Sequence, residues 1–212
     1  GRAIALELAK NGYDIVINYL TSGDEALQLQ KTITDTYGVR CLAFRADVSN
    51  EEEVDRMVSA VEEELNGVDI LINNAVDRRN MTSLNDATRQ KLQDSASTNL
   101  NGQILLSQAV IEYMIKQDSG SIVNISSMRG LDCPHFPLYP EGWGDQPVNY
   151  TTEKWAMVGM TKYMAGRYGK HHIRVNCIAP GGYSPGLADD PLKKEFQKTY
   201  IENCPLGCWA NE

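Results

Sequence analysis

The chain has 212 residues, 42% of them hydrophobic, which is enough to bury a core within one domain. Its net charge of −8 at pH 7 disfavours nucleic acid or an anionic membrane surface as a partner. No apolar run reaches membrane-spanning length and no secretory signal opens the chain, so we expect a cytoplasmic protein with reduced cysteines. We expect no metal site, although Cys204 and Cys208 leave a zinc pair open as an alternative.

Strand and helix signals alternate along the whole chain. Helices are predicted over 2–10, 23–37, 49–65, 86–117, 149–168 and 190–202, and strands over 14–18, 40–44, 68–72, 121–125 and 173–178. Ser49 and Glu52 form a capping box that begins the third helix. Because most strands are continuous apolar runs, the pattern predicts an α/β fold with a doubly wound parallel sheet, three α/β/α layers and a single domain over 1–212.

Polar clusters lie at the carboxyl ends of the predicted strands. Ligands of parallel sheets bind beyond those ends, so we expect the functional site there. The clusters are Asn18-Tyr19, Asp47-Val48, Asn73-Asn74, Ser126-Ser127 and Pro180-Gly181.

Tyr150 and Lys154 are four residues apart within a predicted helix, so their side chains lie on one face about one turn apart. An ammonium beside a phenol favours the phenolate, so such a tyrosine can exchange a proton with a substrate oxygen. The spacing alone is weak evidence, because short motifs recur by chance. In the alternative interpretation Tyr150 is an aromatic residue on a helix surface and Ser127 is a simple turn residue.

The order of these clusters resembles the short-chain dehydrogenase/reductase family. Asn73, Asn74 and Ala75 resemble its N-N-A-G element, with Val76 in place of the glycine. The family's catalytic set is matched by Asn99, Ser127, Tyr150 and Lys154, and its nicotinamide-side loop by residues 176–181. The resemblance implies a Rossmann-like fold and a nicotinamide cofactor.

The same resemblance implies roles for the four residues. Tyr150 is the acid/base, and Lys154 supports it and holds the nicotinamide ribose. Ser127, preferred to Ser126 because the family commonly uses the second serine of such a pair, donates a hydrogen bond to the substrate oxygen. Asn99 anchors a water molecule linked to Lys154.

The resemblance also implies a set of cofactor-binding residues. They are Gly1, Arg2, Asn18, Tyr19, Asp47, Val48, Asn73, Ala75, Tyr150, Lys154, Pro180 and Gly181. After the strand that ends at Asn18, where NAD-preferring members carry a carboxylate for the ribose hydroxyl, the first carboxylate is Asp24, so NADP is favoured over NAD. Pro185, beside Ser184, occupies the position where the family often has a threonine for the carboxamide.

Gly1 matches only the last glycine of the family's T-G-x-x-x-G-x-G turn. We therefore expect the family's first strand and its C-terminal strand to be absent from this sequence. Because the first strand is central in such a sheet, its absence predicts a gap between the two halves.

Residues 182–186 spell G-x-S-x-G, the nucleophile elbow of α/β-hydrolases. That chemistry needs the backbone N–H of the residue after the serine, and here that residue is Pro185. No histidine follows His172, so a hydrolase is rejected.

The 22 residues between Ser127 and Tyr150 form the least regular part of the chain. Their aromatic and polar side chains are His135, Phe136, Tyr139, Glu141, Trp143, Asp145 and Gln146. We expect this segment to overhang a small polar substrate such as a sugar, a sugar acid or a polyol. The alternative is a surface excursion packed by its own aromatics. Arg129 pairs either with an acidic substrate or with a neighbouring carboxylate.

We therefore expect an NAD(P)-dependent oxidoreductase that interconverts a secondary alcohol and a ketone. The alternatives are a 3-oxoacyl thioester reductase and a non-catalytic nucleotide-binding relative. Helices 99–117 and 149–168 carry apolar residues beyond one stripe, and the family packs these helices into a subunit interface. A homodimer or homotetramer is expected, with ordinary core packing as the alternative.

Overall fold

Seven α-helices and five strands alternate in the computed structural model, which describes residues 1–182 and 190–209. In chain order they are α1 (Arg2–Lys10), β1 (Ile15–Tyr19), α2 (Gly23–Tyr37), β2 (Cys41–Arg45), α3 (Glu51–Leu65), β3 (Ile70–Asn73), α4 (Arg89–Ala96), α5 (Gly102–Lys116), β4 (Gly120–Ile125), α6 (Val148–Tyr168), β5 (Ile173–Ile178) and α7 (Pro191–Asn203). Every predicted strand and helix is present within about two residues of its expected bounds, except around the long helix predicted over 86–117. In the described part of the chain, no helix is both long and apolar enough to cross a membrane.

All strand pairs are parallel, as the buried apolar runs predicted. β1 pairs with β2, so Tyr19 lies beside Arg45, and β3–β4–β5 form a second sheet in which Asn73 lies beside Asn124. A groove of about 720 Å³ is lined by both β1 and β3. Among the described residues no strand pairing joins the two sheets, which is the gap that the sequence predicted.

The two sheets carry separate hydrophobic cores. The larger is built by α3, α5 and α6 around β3–β5 and contains Val54, Val58, Leu71, Val110, Ile111, Met114, Ile122, Met164, Ile173 and Val175. Burying each large apolar side chain stabilises the fold by about 1.5–3 kcal/mol. The smaller core, between α1, α2 and the β1–β2 pair, contains Ala9, Ile15, Leu29, Ile33 and Cys41. Burial raises the pKa of the Cys41 thiol to about 11, so the thiol stays protonated.

The start of α3 differs from the predicted capping box by one residue. Asn50 is the N-cap, and its side chain accepts a hydrogen bond from Glu53 N at 3.1 Å. Ser49 does not cap the helix because its hydroxyl donates to Asp47 Oδ1 at 2.7 Å. Glu53 Oε2 accepts a hydrogen bond from Asp47 N at 2.8 Å. The carboxylates of Asp47 and Glu53 together fix the loop that follows β2.

The single helix predicted over 86–117 is wrong in its start and its continuity. It begins at Arg89 after the N-cap Thr88, and a π turn over Ser97–Asn101 separates α4 from α5. A π turn adds one residue per turn and re-aims the side chains within it. Here it places Asn99 in the interior, which periodicity alone does not reveal.

Candidate active site

The loops that follow β4 and β5 are hydrogen-bonded to each other. Ser126 N donates to Ile178 O at 2.8 Å, and Met128 N donates to Pro180 O at 3.0 Å. This pairing places the predicted serine beside the predicted cofactor loop, at the carboxyl ends of neighbouring strands. Residues 183–189 lie outside the described part of the chain, and with them Ser184, Pro185 and most of the G-x-S-x-G sequence.

The two serines after β4 have different partners. Ser126 Oγ donates to Lys154 O at 2.9 Å and so ties the end of β4 to α6. Ser127 Oγ accepts from Arg129 N at 3.2 Å, and its own proton has no acceptor among the described residues. The hydroxyl that remains able to donate to a ligand is therefore that of Ser127.

Tyr150 and Lys154 lie side by side on α6. Lys154 Nζ is 5.7 Å from the centroid of the Tyr150 ring and donates to Ile125 O at 2.7 Å. Lys154 is buried, and this burial lowers the pKa of its ammonium. The lysine is thus held between the end of β4 and the phenol.

Gly130 allows the turn that follows Ser127 to approach α6 closely. A Cβ atom added at Gly130 would lie 2.5 Å from both Lys154 O and Ser126 Oγ. The first of these atoms belongs to the backbone of α6, so the turn would have to move. The position of Ser127 relative to Lys154 therefore depends on a residue without a side chain.

Substitution of Gly130 by alanine is expected to cost about 1–3 kcal/mol of unfolding free energy, as overpacking usually does, and to reduce turnover by displacing Ser127. Gly169→Ala is the control, because its backbone is right-handed helical and nothing lies within 4 Å of an added Cβ. Urea unfolding and steady-state rates measure both variants. A Gly130→Ala protein as stable and active as Gly169→Ala would contradict the close approach.

Asn99 and Glu153 form a buried pair that sequence reasoning missed in part. Asn99 Oδ1 accepts from Asp77 N at 2.6 Å, and its Nδ2 donates to Asp77 O at 2.9 Å and to Glu153 Oε2 at 2.8 Å. Glu153 is only 6% exposed. Its place three residues after Tyr150, on the same helical face, was the signal that could have found it. The Asn99 side chain is committed to the protein, so a water held by this residue would need its backbone.

Seven of the residues predicted to bind the cofactor line the groove between β1 and β3. They are Gly1, Arg2, Asn18, Tyr19, Val48, Asn73 and Ala75. Asn73 Oδ1 and Gln103 Oε1, also in this groove, are buried without a hydrogen-bond partner in the described structure.

The remaining residues predicted to bind the cofactor lie outside that groove. Asp47 Oδ1 accepts from the Ser49 hydroxyl, and Tyr150, Lys154, Pro180 and Gly181 belong to the site at the ends of β4 and β5. The residues predicted to bind the cofactor therefore lie in two places, the groove between β1 and β3 and the site that contains Ser127 and Tyr150.

The segment between Ser127 and Tyr150 packs on α7 through an aromatic cluster. The cluster consists of Tyr139, Trp143, Phe196, Tyr200 and Trp209. Tyr139 stacks on Phe196 with ring centroids 4.8 Å apart, and Tyr200 Oη accepts from Gly182 N at 2.9 Å. Tyr139 and Trp143 therefore pack against α7 and beside the turn that carries Ser127, whereas Phe136 of the same segment is 57% exposed.

In residues 1–182 and 190–209, no group of three or more His, Cys, Asp or Glu side chains is arranged to hold a metal ion. Neither Cys204 nor Cys208 forms a disulfide, and Cys208 is exposed.

Comparison with known proteins gives consistent matches. Residues 1–195 match the family model described as short chain dehydrogenase. The chain is 34% identical over 210 residues to a 3-oxoacyl-acyl-carrier-protein reductase of Aquifex aeolicus, which covers 98% of this chain and 78% of that protein.

Solved structures of dehydrogenases superimpose on almost the whole chain. An NAD⁺-bound xylitol dehydrogenase superimposes with a TM-score of 0.86 at 25% identity, over 99% of this chain and 82% of that one. A gluconate 5-dehydrogenase from Burkholderia cenocepacia, in complex with NADP and tartrate, superimposes with a TM-score of 0.82 at 26% identity, over 99% and 78%.

Proposed function

Because this chain belongs to the short-chain dehydrogenase/reductase family, we propose that it interconverts a secondary alcohol and a ketone with Tyr150 as its acid/base. Members of this family are NAD(P)-dependent oxidoreductases, and this chain is one. The observation that carries the proposal is the Lys154 ammonium, held 5.7 Å from the Tyr150 ring by its hydrogen bond to Ile125 O. An ammonium in that place stabilises the phenolate that forms when the proton leaves.

The nicotinamide cofactor supplies or accepts the hydride when it is bound. In the direction of reduction, negative charge develops on the substrate oxygen, where the free hydroxyl of Ser127 donates a hydrogen bond. Tyr150 then gives its phenolic proton to that oxygen and is left as a phenolate beside Lys154. In the direction of oxidation the phenolate takes the proton of the alcohol. Asn99 Nδ2 donates a hydrogen bond to Glu153 Oε2, and this bond joins the π turn to α6.

We propose that the adenosine half of the cofactor lies beside Asn18 and Tyr19 at the carboxyl end of β1, and we favour NADP over NAD. The first carboxylate after β1 is Asp24, so the residues directly after this strand offer no acid to bind a ribose hydroxyl or to repel a 2′-phosphate. Arg45, exposed at the end of β2 and beside Tyr19, adds a cation that the sequence analysis did not consider.

We propose a small polar substrate of the sugar, sugar-acid or polyol kind. The aromatic and polar side chains between Ser127 and Tyr150 support this class, as do the names of the xylitol and gluconate dehydrogenases that superimpose on the chain. A 3-oxoacyl thioester remains the second candidate, favoured by the 34% identity to a reductase of that class.

We propose that α5 and α6 form a subunit interface in a homodimer or homotetramer. Many of their apolar residues, including Met114 and Met157, lie in the core, as ordinary packing requires. Ile104 and Trp155 are 43% and 50% exposed, and nothing within the described chain covers them. Light scattering of the purified protein measures the assembly.

The reaction is tested by following nicotinamide absorbance with xylitol, gluconate and an acetoacetyl thioester, each with NADP(H) and with NAD(H). We expect turnover of a polyol or sugar acid and at least about a tenfold preference for NADP(H), the effect of one favourable ion contact. A clear preference for NAD(H) would contradict the cofactor assignment. Faster turnover of the thioester than of either polar alcohol would support the second candidate.

A further inference from the structure

Arg129 is a half-buried cation two residues after Ser127. Its Nη1 donates to Cys133 O at 3.3 Å, and its Nη2 donates to the hydroxyl of Tyr139. None of the ion pairs formed within residues 1–182 and 190–209 includes it. Asp132 acts on its charge from beyond ion-pair distance, and a partly desolvated guanidinium without an ion-paired carboxylate is costly unless a ligand compensates for it.

Arg129 belongs to the turn that carries Ser127. Burial lowers the pKa of Arg129, and the Tyr150 side chain is close enough to oppose that effect in part. The backbone N–H of Arg129 donates to Ser127 Oγ. The backbone of Arg129 is thus bonded to one of the two groups that we assign to the substrate oxygen, and its charge lies within electrostatic reach of the other.

The aromatic cluster holds the guanidinium in one orientation. Arg129 Cζ is 5.6 Å from the centroid of the Tyr139 ring, and Tyr139 is itself stacked on Phe196 of α7. Tyr200 of α7 contacts Met128 Sδ at 3.6 Å, next to Arg129 in the turn. A side chain fixed in this way loses little freedom when it binds a ligand.

Two of the five N–H groups of the guanidinium are used by Cys133 and Tyr139, which leaves three donors for a ligand. The planar fork of an arginine matches a carboxylate with two parallel hydrogen bonds. One unpaired guanidinium neutralises one negative charge, which suits a carboxylate better than a phosphate dianion.

We propose that Arg129 binds a carboxylate of the substrate, so that the enzyme acts on a hydroxy or oxo sugar acid in preference to a neutral polyol. This inference rests on the proposed function, because that function places the reacting carbon at Tyr150. The carboxylate then lies between Arg129 and the reacting carbon at Tyr150. Arg129 is then the residue that determines specificity.

The test compares gluconate with glucitol, which has the same six-carbon chain but ends in a neutral hydroxymethyl group. Binding to the protein saturated with NADP⁺ is measured by calorimetry, so the readout does not depend on turnover. We expect gluconate to bind at least about tenfold more tightly than glucitol, the worth of a charge-assisted hydrogen bond. A wild-type protein that binds glucitol as well as gluconate, or that binds neither, overturns the inference.

Arg129→Gln is expected to weaken gluconate binding by about 10- to 100-fold and to leave glucitol binding within about twofold. Arg129→Lys retains the charge without the fork, so an intermediate loss is expected. Arg167→Gln is the control, since Arg167 is exposed near the C-terminal end of α6. Equal gluconate affinity in Arg129→Gln and Arg167→Gln overturns the inference.

The inference and the proposed function fail in different ways. If the proposed function is wrong, Tyr150→Phe retains its turnover whatever the charge of the substrate. If the carboxylate assignment is wrong, Tyr150→Phe loses turnover while Arg129→Gln binds gluconate normally. The thermal unfolding of Arg129→Gln shows whether a loss of binding comes from misfolding.

Discussion

Tyr150→Phe is expected to reduce turnover by about 10²- to 10⁴-fold, the usual contribution of a positioned general acid–base. Phenylalanine keeps the ring that lies 5.7 Å from Lys154 Nζ and removes only the hydroxyl that exchanges the proton. Binding of NADPH, measured by its fluorescence, is expected to change little, because Asn18 and Tyr19, proposed to contact the adenosine half, lie on β1 and not on α6.

Tyr163→Phe is the matched control for this loss. Tyr163 lies on the same helix but is 69% exposed, so removal of its hydroxyl is expected to leave the rate unchanged. If Tyr150→Phe retained more than about a tenth of the wild-type rate, well above the usual range for such a loss, Tyr150 would not be the acid/base. Loss of NADPH binding in that variant would instead indicate a structural role.

Local patterns were sufficient to predict most of the fold. The strands β1 to β5 are short apolar runs between turn residues, and their order requires a parallel sheet. The start of α3 was displaced by one residue because Asp47 takes the Ser49 hydroxyl, a competition that the spacing of Ser49 and Glu52 does not show. The π turn before α5 was missed because its contacts, with Asp77 and Glu153, are distant in sequence.

The parts of the candidate site that lie on one helix were predictable from the sequence. The parts that depend on contacts between different helices, strands and loops were less predictable. Helical spacing places Tyr150 and Lys154 on one face of α6, and the order of the surrounding polar clusters made them candidates. The difference between Ser126 and Ser127 depends on a hydrogen bond to Lys154 O, which no local pattern specifies. The support of Arg129 by Tyr139 and Phe196 joins a loop to α7, so it becomes visible only in three dimensions.

Lys154→Met is expected to reduce turnover by at least about 100-fold, because the phenolate of Tyr150 loses its adjacent cation. The free energy of unfolding is expected not to fall by more than about 1 kcal/mol, roughly the net worth of one hydrogen bond. Burial lowers the pKa of Lys154, which means that the folded protein disfavours the ammonium relative to water. Methionine is neutral and of similar length, so it removes that cost. It also removes the hydrogen bond to Ile125 O, and the two effects on the free energy of unfolding oppose each other. Urea unfolding and steady-state rates together separate the two effects.

The pH dependence of the rate shows whether Lys154 acts through its positive charge or through the space that its side chain fills. The ammonium of Lys154 is present below its pKa and is lost as pH rises through that pKa, which burial places below the usual value of about 10.4 for lysine. Wild-type kcat/KM is therefore expected to fall on the alkaline side at a pH below that value. Arginine stays charged throughout this range, so Lys154→Arg is expected to lose that alkaline fall while retaining more activity than Lys154→Met. An alkaline fall at the same pH in wild type and in Lys154→Arg would assign it to another group and remove the charge of Lys154 from the chemistry.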